Sequence, residues 1–302
     1  MNIVHLIVTG DMENKGLADA LSRIKAFKEI NFTIQQTKGI TSSKIPNDFS
    51  LTKGSERPRD VDKLASAMLS NVVKNKDIKS QLADMVIVID DLELANVDQP
   101  KKVLDFFGDA LRSEIMKEFS SQKVQERYFK KVKNICSFHF LVPMAEAYFF
   151  GEIPSALERA GATIQSKVDG SKMDVENFWV CGGHLHNGVD YFDAPAGKKP
   201  FWTRSPKLRP QHPKKYIDFL CCPETKYTKD NKDKFYKESK GGTNALKTLN
   251  WQKVLSNQEY TQYLRALIHD IADKFEIDPP PFPGKCAPLT EYTGQGTILR
   301  NF

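Results

Sequence analysis

Short apolar runs alternate with longer stretches whose apolar residues fall three and four apart. "IVHLIV" reads as a strand, and "ENKGLADALSRIKAFKEI" after it carries Leu17, Leu21, Ile24 and Ile30 on one helical stripe. "FTIQQT" is β-branched and alternating, which predicts a second strand. Gly39 to Arg59 is rich in Ser, Lys, Pro and Gly, the composition of a loop, and "RDVDKLASAMLSNVVKN" returns to helical spacing. Met85 to Ile89, within "ADMVIVIDDLEL", is wholly apolar, the pattern of a strand buried on both faces of a parallel sheet. The alternation predicts an α/β fold with a parallel sheet flanked by helices.

The second half reads differently. "GKKPFWTRSPKLRPQHPKKY" is studded with Pro and basic residues and predicts a loop or extended arm. "TNALKTLNWQKVLSNQEYTQYLRALIHDIADKF" is helical again, with Leu264, Leu267, Ile268 and Ile271 as its core stripe. "DPPPFPGKCAP" cannot continue a helix and reads as a polyproline-like tail over the surface. The expected organisation is an α/β domain over residues 1–150 and a basic α+β region over 151–302 that completes the same unit.

Composition narrows the classes. With 40% hydrophobic and 27% charged residues the chain is globular, and no run approaches the ~18 apolar residues of a membrane span. "MNIVHLIVTG" is expected to be a first strand and not a signal peptide. Five cysteines (Cys136, Cys181, Cys221, Cys222, Cys286) without a CxxC pair suit a reducing cytoplasm and no disulfides. Charge is uneven: residues 194–253 hold 15 Lys or Arg against 5 Asp or Glu, a balance of +10, so the rest of this +6 chain sums to −4. Such a segment suits a polyanionic partner, nucleic acid above all, with Tyr216, Phe219, Tyr227, Phe235 and Tyr236 placed to stack on bases. A solvated lysine-rich surface is the plain alternative. Arg204, Lys207, Arg209, Lys214, Lys215 and Lys237 are the candidate nucleic-acid contacts, whether to DNA or RNA.

Acids follow the strands. Asp11 and Glu13 come after the first, and Asp90, Asp91 and Glu93 after "MVIVI". In open α/β sheets the ligand crevice lies beyond the carboxyl ends of the strands, so neighbouring strands would gather five carboxylates at one edge. Clustered like charges call for a hard cation, Mg²⁺ or Mn²⁺, and two such ions about 4 Å apart can support phosphodiester cleavage. The alternative is that these acids merely cap turns and helices. Glu146, in "VPMAEAYFFGE", sits on an expected short helix between Pro143 and Gly151 as a further metal or substrate contact, or as an exposed helix Glu.

"LIVTGDMENKGLADALSRI" followed by "VIVIDDLE" resembles the Toprim fold of topoisomerases, primases and nucleases of the OLD (overcoming lysogenization defect) class. "FLVPMAEAYFFGEIPSAL", "HPKKYIDFL" and "YKESKGGTNALKTLNW" are similar to later blocks of small Toprim-like proteins that bacteria encode beside an ABC-type ATPase in abortive-infection and other phage-defence systems. The resemblance spans about Ile3 to Ile271. It implies a Mg²⁺-dependent nuclease or nuclease-like effector with catalytic acids among Asp11, Glu13, Asp90, Asp91 and Glu146, and metal ligands among Asp11, Glu13, Asp90, Asp91 and Glu93. It also implies a nucleic-acid substrate and an ABC-type ATPase as partner. One departure stands out: the Toprim pattern has Glu directly before the first-turn Gly, and here Thr9 precedes Gly10. A threonine hydroxyl cannot take a proton as a carboxylate does, so either Glu13 or Asp11 substitutes, or the chain is a non-catalytic Toprim-like module that binds nucleic acid or assembles a complex. A metal-dependent phosphatase fits the acids but leaves the basic arm unexplained.

Cys181, His184 and His186 in "FWVCGGHLHNGVDYFD", with Cys221 and Cys222, could hold zinc, though the spacing is not finger-like. A phosphate-touching His or a structural hairpin turning at Asn187-Gly188 are the other readings. No Walker-type loop, GxGxxG or Ser nucleophile elbow is present, which argues against intrinsic ATP hydrolysis or dinucleotide chemistry.

Overall fold

A computed structural model describes residues 2–37, 59–73, 83–94, 96–166, 168–170, 172–178, 212–222, 233–256, 259–287 and 298–301. Four parallel strands, β1 (Asn2–Val8), β2 (Ile30–Gln36), β3 (Met85–Asp91) and β4 (Cys136–Leu141), form a sheet in the order β2-β1-β3-β4. The register aligns their carboxyl ends: Val8 pairs with Gln36 and Ile89, and Asp91 pairs with Leu141. The turns after β1, β3 and β4 therefore open on one edge.

Strand alternation divides the core into two layers. Val4, Leu6, Val8, Ile87 and Ile89 face one side, where α1 (Asp11–Ser22) and most of the chain beyond β4 pack; Phe178, Tyr216, Leu246 and Leu267 join the same cluster. Ile7, Val86, Val88, Phe138 and Phe140 face the other, against α2 (Arg59–Val72), α3 (Pro100–Glu118), α4 (Gln122–Ile135) and the segment Ile298–Leu299. The wholly apolar run of β3 is thus covered on both faces, as its sequence requires.

Local details depart from the pattern. α1 stops at Ser22, a 3₁₀ turn (Lys25–Phe27) follows, and Ile30, expected on the helical stripe, opens β2. Phe27 is fully buried at that turn, so tertiary packing overrides the helical period. Ala145–Glu152 is a 3₁₀ helix that runs through Gly151, where a short α-helix ending at Gly151 was expected. Gly151 serves packing and not termination: a Cβ there would stand 3.0 Å from Val254 Cα. α5 (Ser155–Ala160) follows it. The basic arm ends in α6 (Pro213–Cys221), begun by Pro213 at a position where a missing N–H costs nothing. A π turn (Glu238–Gly242), α7 (Thr243–Lys247), α8 (Trp251–Val254) and α9 (Gln262–Lys274) complete the described elements, and the Leu264, Leu267, Ile268 and Ile271 stripe of α9 is buried. Among the described residues every regular element beyond β4 is helical, and no helix is long and apolar enough to cross a membrane. The loop expected over Gly39 to Arg59, the Asn187-Gly188 hairpin and Cys181, His184 and His186 lie outside the described residues, apart from Arg59 at the start of α2.

Candidate functional site

The turn after β1 is Thr9-Gly10, and α1 starts at once. Glu13 lies on its first turn, where the helix dipole favours an acid. Its carboxylate folds back over Gly10 so closely that a Cβ there would stand 1.8 Å from Oε2. A larger residue at Gly10 would have to displace that carboxylate. Asp11 goes elsewhere: residues two apart on a helix point to opposite sides, and the exposed Asp11 accepts a hydrogen bond from Gln36 Nε2 at 2.7 Å. The expectation that Asp11 joins Glu13 is corrected by this helical phase.

At the end of β3, Asp90 and Asp91 point to opposite faces. Thr9 Oγ1 donates to Asp90 Oδ1 at 2.7 Å, and the backbone N–H of Ala145 donates to Asp91 Oδ1 at 3.0 Å. Glu93 adopts φ 63°, the left-handed region that non-glycine residues avoid. The turn after β4 supplies Glu146, which is 3% exposed and accepts a hydrogen bond from Tyr236 at 3.2 Å. An exposed helix Glu it is not.

These turns enclose a cavity of about 360 Å³. Glu13, Asp91, Glu93 and Glu146 line it together with His212, Lys214, Lys215 and Glu238. Lys214 pairs with Glu238, and Lys215 with Asp218 at 2.7 Å on its own helix. Lys237 pairs with Asp233 away from the cavity lining. Arg204, Lys207 and Arg209 lie outside the described residues. Tyr216, Phe219 and Tyr236, read from sequence as base-stacking faces, are buried in the core; they form the apolar side of α6 and the wall behind Glu146. Tyr227 is outside the described residues, and Phe235 is half-buried.

Burial and mutual repulsion dominate the electrostatics. Burial, then Glu146, pushes Glu13 up to about 7, partly offset by its own backbone N–H and by Lys214. Glu93 rises to about 7 through burial, Asp90 and Glu146, against Lys214. Asp91 is held well above the carboxylate range by burial and by Glu13, Glu93 and Glu146. Burial, with Lys215 and Lys214 beside it, brings His212 down to about 3, so its ring is neutral at physiological pH. The pocket can therefore hold protons on acids at neutral pH and accept one at Glu13 or Glu93, with the ion-paired Lys214 and Lys215 in the same lining.

The donor set is hard oxygen, the chemistry of Mg²⁺ or Mn²⁺. Among the described residues, however, no three Asp, Glu, His or Cys side chains stand together around a point where one ion would sit. A larger cavity of about 890 Å³, lined by Ile153, Met173, Val175, Val254, Asp169 and Lys253 among others, does not contain the acid cluster.

Sequence reasoning reached the acids because each follows a strand. It missed His212 and Glu238, and it read Tyr236 as a stacking ring and not as the partner of Glu146; none of the three has a periodic signal. Their only cue is position within "HPKKY" and "YKESKGG". Compared with known proteins, the chain matches no family model, no curated protein and no solved structure.

Proposed function

We propose that this chain is a Toprim-like protein whose acidic pocket acts on nucleic-acid phosphodiesters as a Mg²⁺-dependent nuclease or nuclease-like effector of phage defence, with an ABC-type ATPase as partner. The observation that carries the reading is convergence: turns after three parallel strands deliver Glu13, Asp91, Glu93 and Glu146 to one cavity whose lining also includes Lys214 and Lys215. Glu13, Asp91 and Glu93 offer the oxygen chemistry that such an ion takes, but among the described residues no three side chains stand around one point where it would sit, so no step is routed through it.

The remaining roles belong to the chain. Glu13, poised near pH 7, is the group to accept a proton from the attacking water. Lys215, on the first turn of α6, lines the cavity and is paired with Asp218, and is the cation proposed to meet a phosphate there. Glu146, fixed by Tyr236, holds the negative field that keeps Glu13 basic. Purified protein, incubated with DNA and RNA, Mg²⁺ or Mn²⁺ and the cognate ATPase, should cleave one of them. Glu13→Gln should lower that rate on the order of 10²-fold.

Thr9 supports a second reading, a non-catalytic binding module. Its hydroxyl stands where the Toprim pattern has an acid, and it donates to Asp90 instead of accepting a proton. A wild type silent on both nucleic acids, with Thr9→Glu silent as well, would select this reading.

A further inference from the structure

α4 differs from its neighbours in how it carries charge. It holds Lys123, Arg127, Lys130, Lys131 and Lys133 against Glu126 alone, a balance of +4, in a chain that sums to −4 outside residues 194–253. Lys131 belongs to the fold, donating to Val72 C=O at 2.6 Å. The other four are exposed and, at 3.6 residues per turn, share a sector of about 120°. Tyr128 and Val132 lie on the opposite side of the helix, buried in the core. The adjacent helices neutralise their surface cations locally: Lys63 pairs with Asp60 on α2, and Lys101 with Asp105, Arg112 with Asp109 and Lys117 with Glu114 on α3. Among the described residues α4 makes no such pair. Glu126, three residues from Lys123 and four from Lys130, accepts instead from the neutral Gln122 amide at 3.0 Å. Lys133 suits the last turn of a helix, but Lys123 stands in a first turn without an acid, where the dipole disfavours it. Arg127 lies over the Tyr128 ring, 5.6 Å from its centroid, and Tyr128 is stacked on Phe119 at 4.1 Å, so the guanidinium is held at the surface. Folding alone gives no reason for this stripe.

We propose that the exposed stripe of α4 binds the phosphate backbone of a nucleic-acid duplex. Lys123 to Lys133 spans about 15 Å, and a duplex presents one phosphate charge per about 1.7 Å of its axis, so four contacts are within reach. A single strand is held largely by stacking on exposed rings, and the two rings of α4 are buried (Tyr128) or half-buried (Phe129). A helix that lies on a membrane gives its apolar side to the lipid, and that side of α4 is packed in the core. Charge without an apolar or aromatic surface is what backbone contact needs, and it reads no sequence. No described residue of α4 lines the acidic pocket, so this surface stands whether or not the pocket cuts.

The test uses the full chain without metal, titrated by fluorescence anisotropy against labelled DNA and RNA duplexes over a series of salt concentrations. Replacing Lys123, Arg127, Lys130 and Lys133 by Gln should lower the log–log salt slope by about 3 to 4 and the affinity at least about tenfold. Lys123→Gln and Arg127→Gln singly should each remove about one unit of slope, which keeps the test open should the fourfold variant fail to fold. Lys123→Arg, Lys130→Arg and Lys133→Arg together should bind as wild type, because only charge is required. The wild-type slope in a fourfold variant that is folded by circular dichroism overturns the proposal, as does a wild type that binds no duplex. So does an unchanged duplex slope with lost binding to phosphatidylserine vesicles, which would assign the stripe to a membrane. Lost duplex binding in the variant, with a wild type silent in cleavage, upholds the stripe and removes the nuclease reading; cleavage by wild type with the slope unchanged in the variant does the reverse.

Discussion

Glu93 and Glu13 each hold an unfavourable state that a single substitution releases. At φ 63° Glu93 bears the left-handed backbone penalty, and its buried carboxyl is pushed up to about 7. Glu93→Gly removes both, so urea denaturation at pH 8 should show a gain on the order of 1 kcal/mol. For Glu13 the folded value is about 7 against an unfolded value of 4.5, so the native state binds the extra proton between these limits. Its contribution is fully present below pH 4.5 and is lost as pH rises through 7. Unfolding free energies of wild type and Glu13→Gln from urea denaturation should nearly coincide at pH 4.5, with the variant ahead by pH 8 by up to about 3 kcal/mol. Identical pH profiles would mean that Glu13 is not the buried, repelled group described. The acids were legible because strand ends are legible. Asp11 was not separable from Glu13, since the two-residue phase that turns it toward Gln36 matters only once the helix is known to begin at Asp11.

Among elements, β3 was the plainest because a run from Met85 to Ile89 without a polar residue has no other use in a parallel sheet. α6 was the hardest. Its charges and prolines read as an arm, whereas Tyr216, Ile217, Phe219 and Leu220 form an apolar face that the flanking composition hid. Tyr216 is fully buried and stacks on Phe150, ring centroids 5.8 Å apart. That assignment separates two roles for the residue. Tyr216→Ala should cost about 3 to 5 kcal/mol of stability, by analogy with other aromatic truncations in cores, and Tyr216→Phe far less. A Tyr216→Ala variant as stable as wild type but weaker on single-stranded nucleic acid would return the ring to base stacking.

At the scale of the whole molecule the question is what holds β4 in place, because the turn after it carries Glu146. β4 is an outer strand of the sheet, and its free side is satisfied by a segment 160 and more residues away. The backbone N–H of Arg300 donates to Cys136 O at 2.8 Å. Asn301 then uses its side-chain amide as a strand would, accepting from Phe138 N–H at 3.1 Å and donating to Phe138 C=O at 2.7 Å. Arg300 also binds Asp270 of α9, which holds the buried His139 of β4 at 2.9 Å, while Leu299 fills the core below. Nothing in the local pattern "TILRNF" announces this; a lone Asn pairing with a strand edge is visible only in three dimensions. An uncovered edge invites pairing with other chains, and unmade backbone bonds in a buried strand cost about 1 to 3 kcal/mol. Asn301→Ala should therefore lose stability by that amount and speed hydrogen exchange at the Phe138 amide, with dimers or larger species growing with concentration in light scattering. Because the Glu146 turn hangs from this strand, the variant should also shift the Glu13 titration seen in the pH profile. Unchanged exchange at Phe138 would show that β4 needs no such cover, and that Glu146 is placed by Tyr236 and the 3₁₀ helix alone.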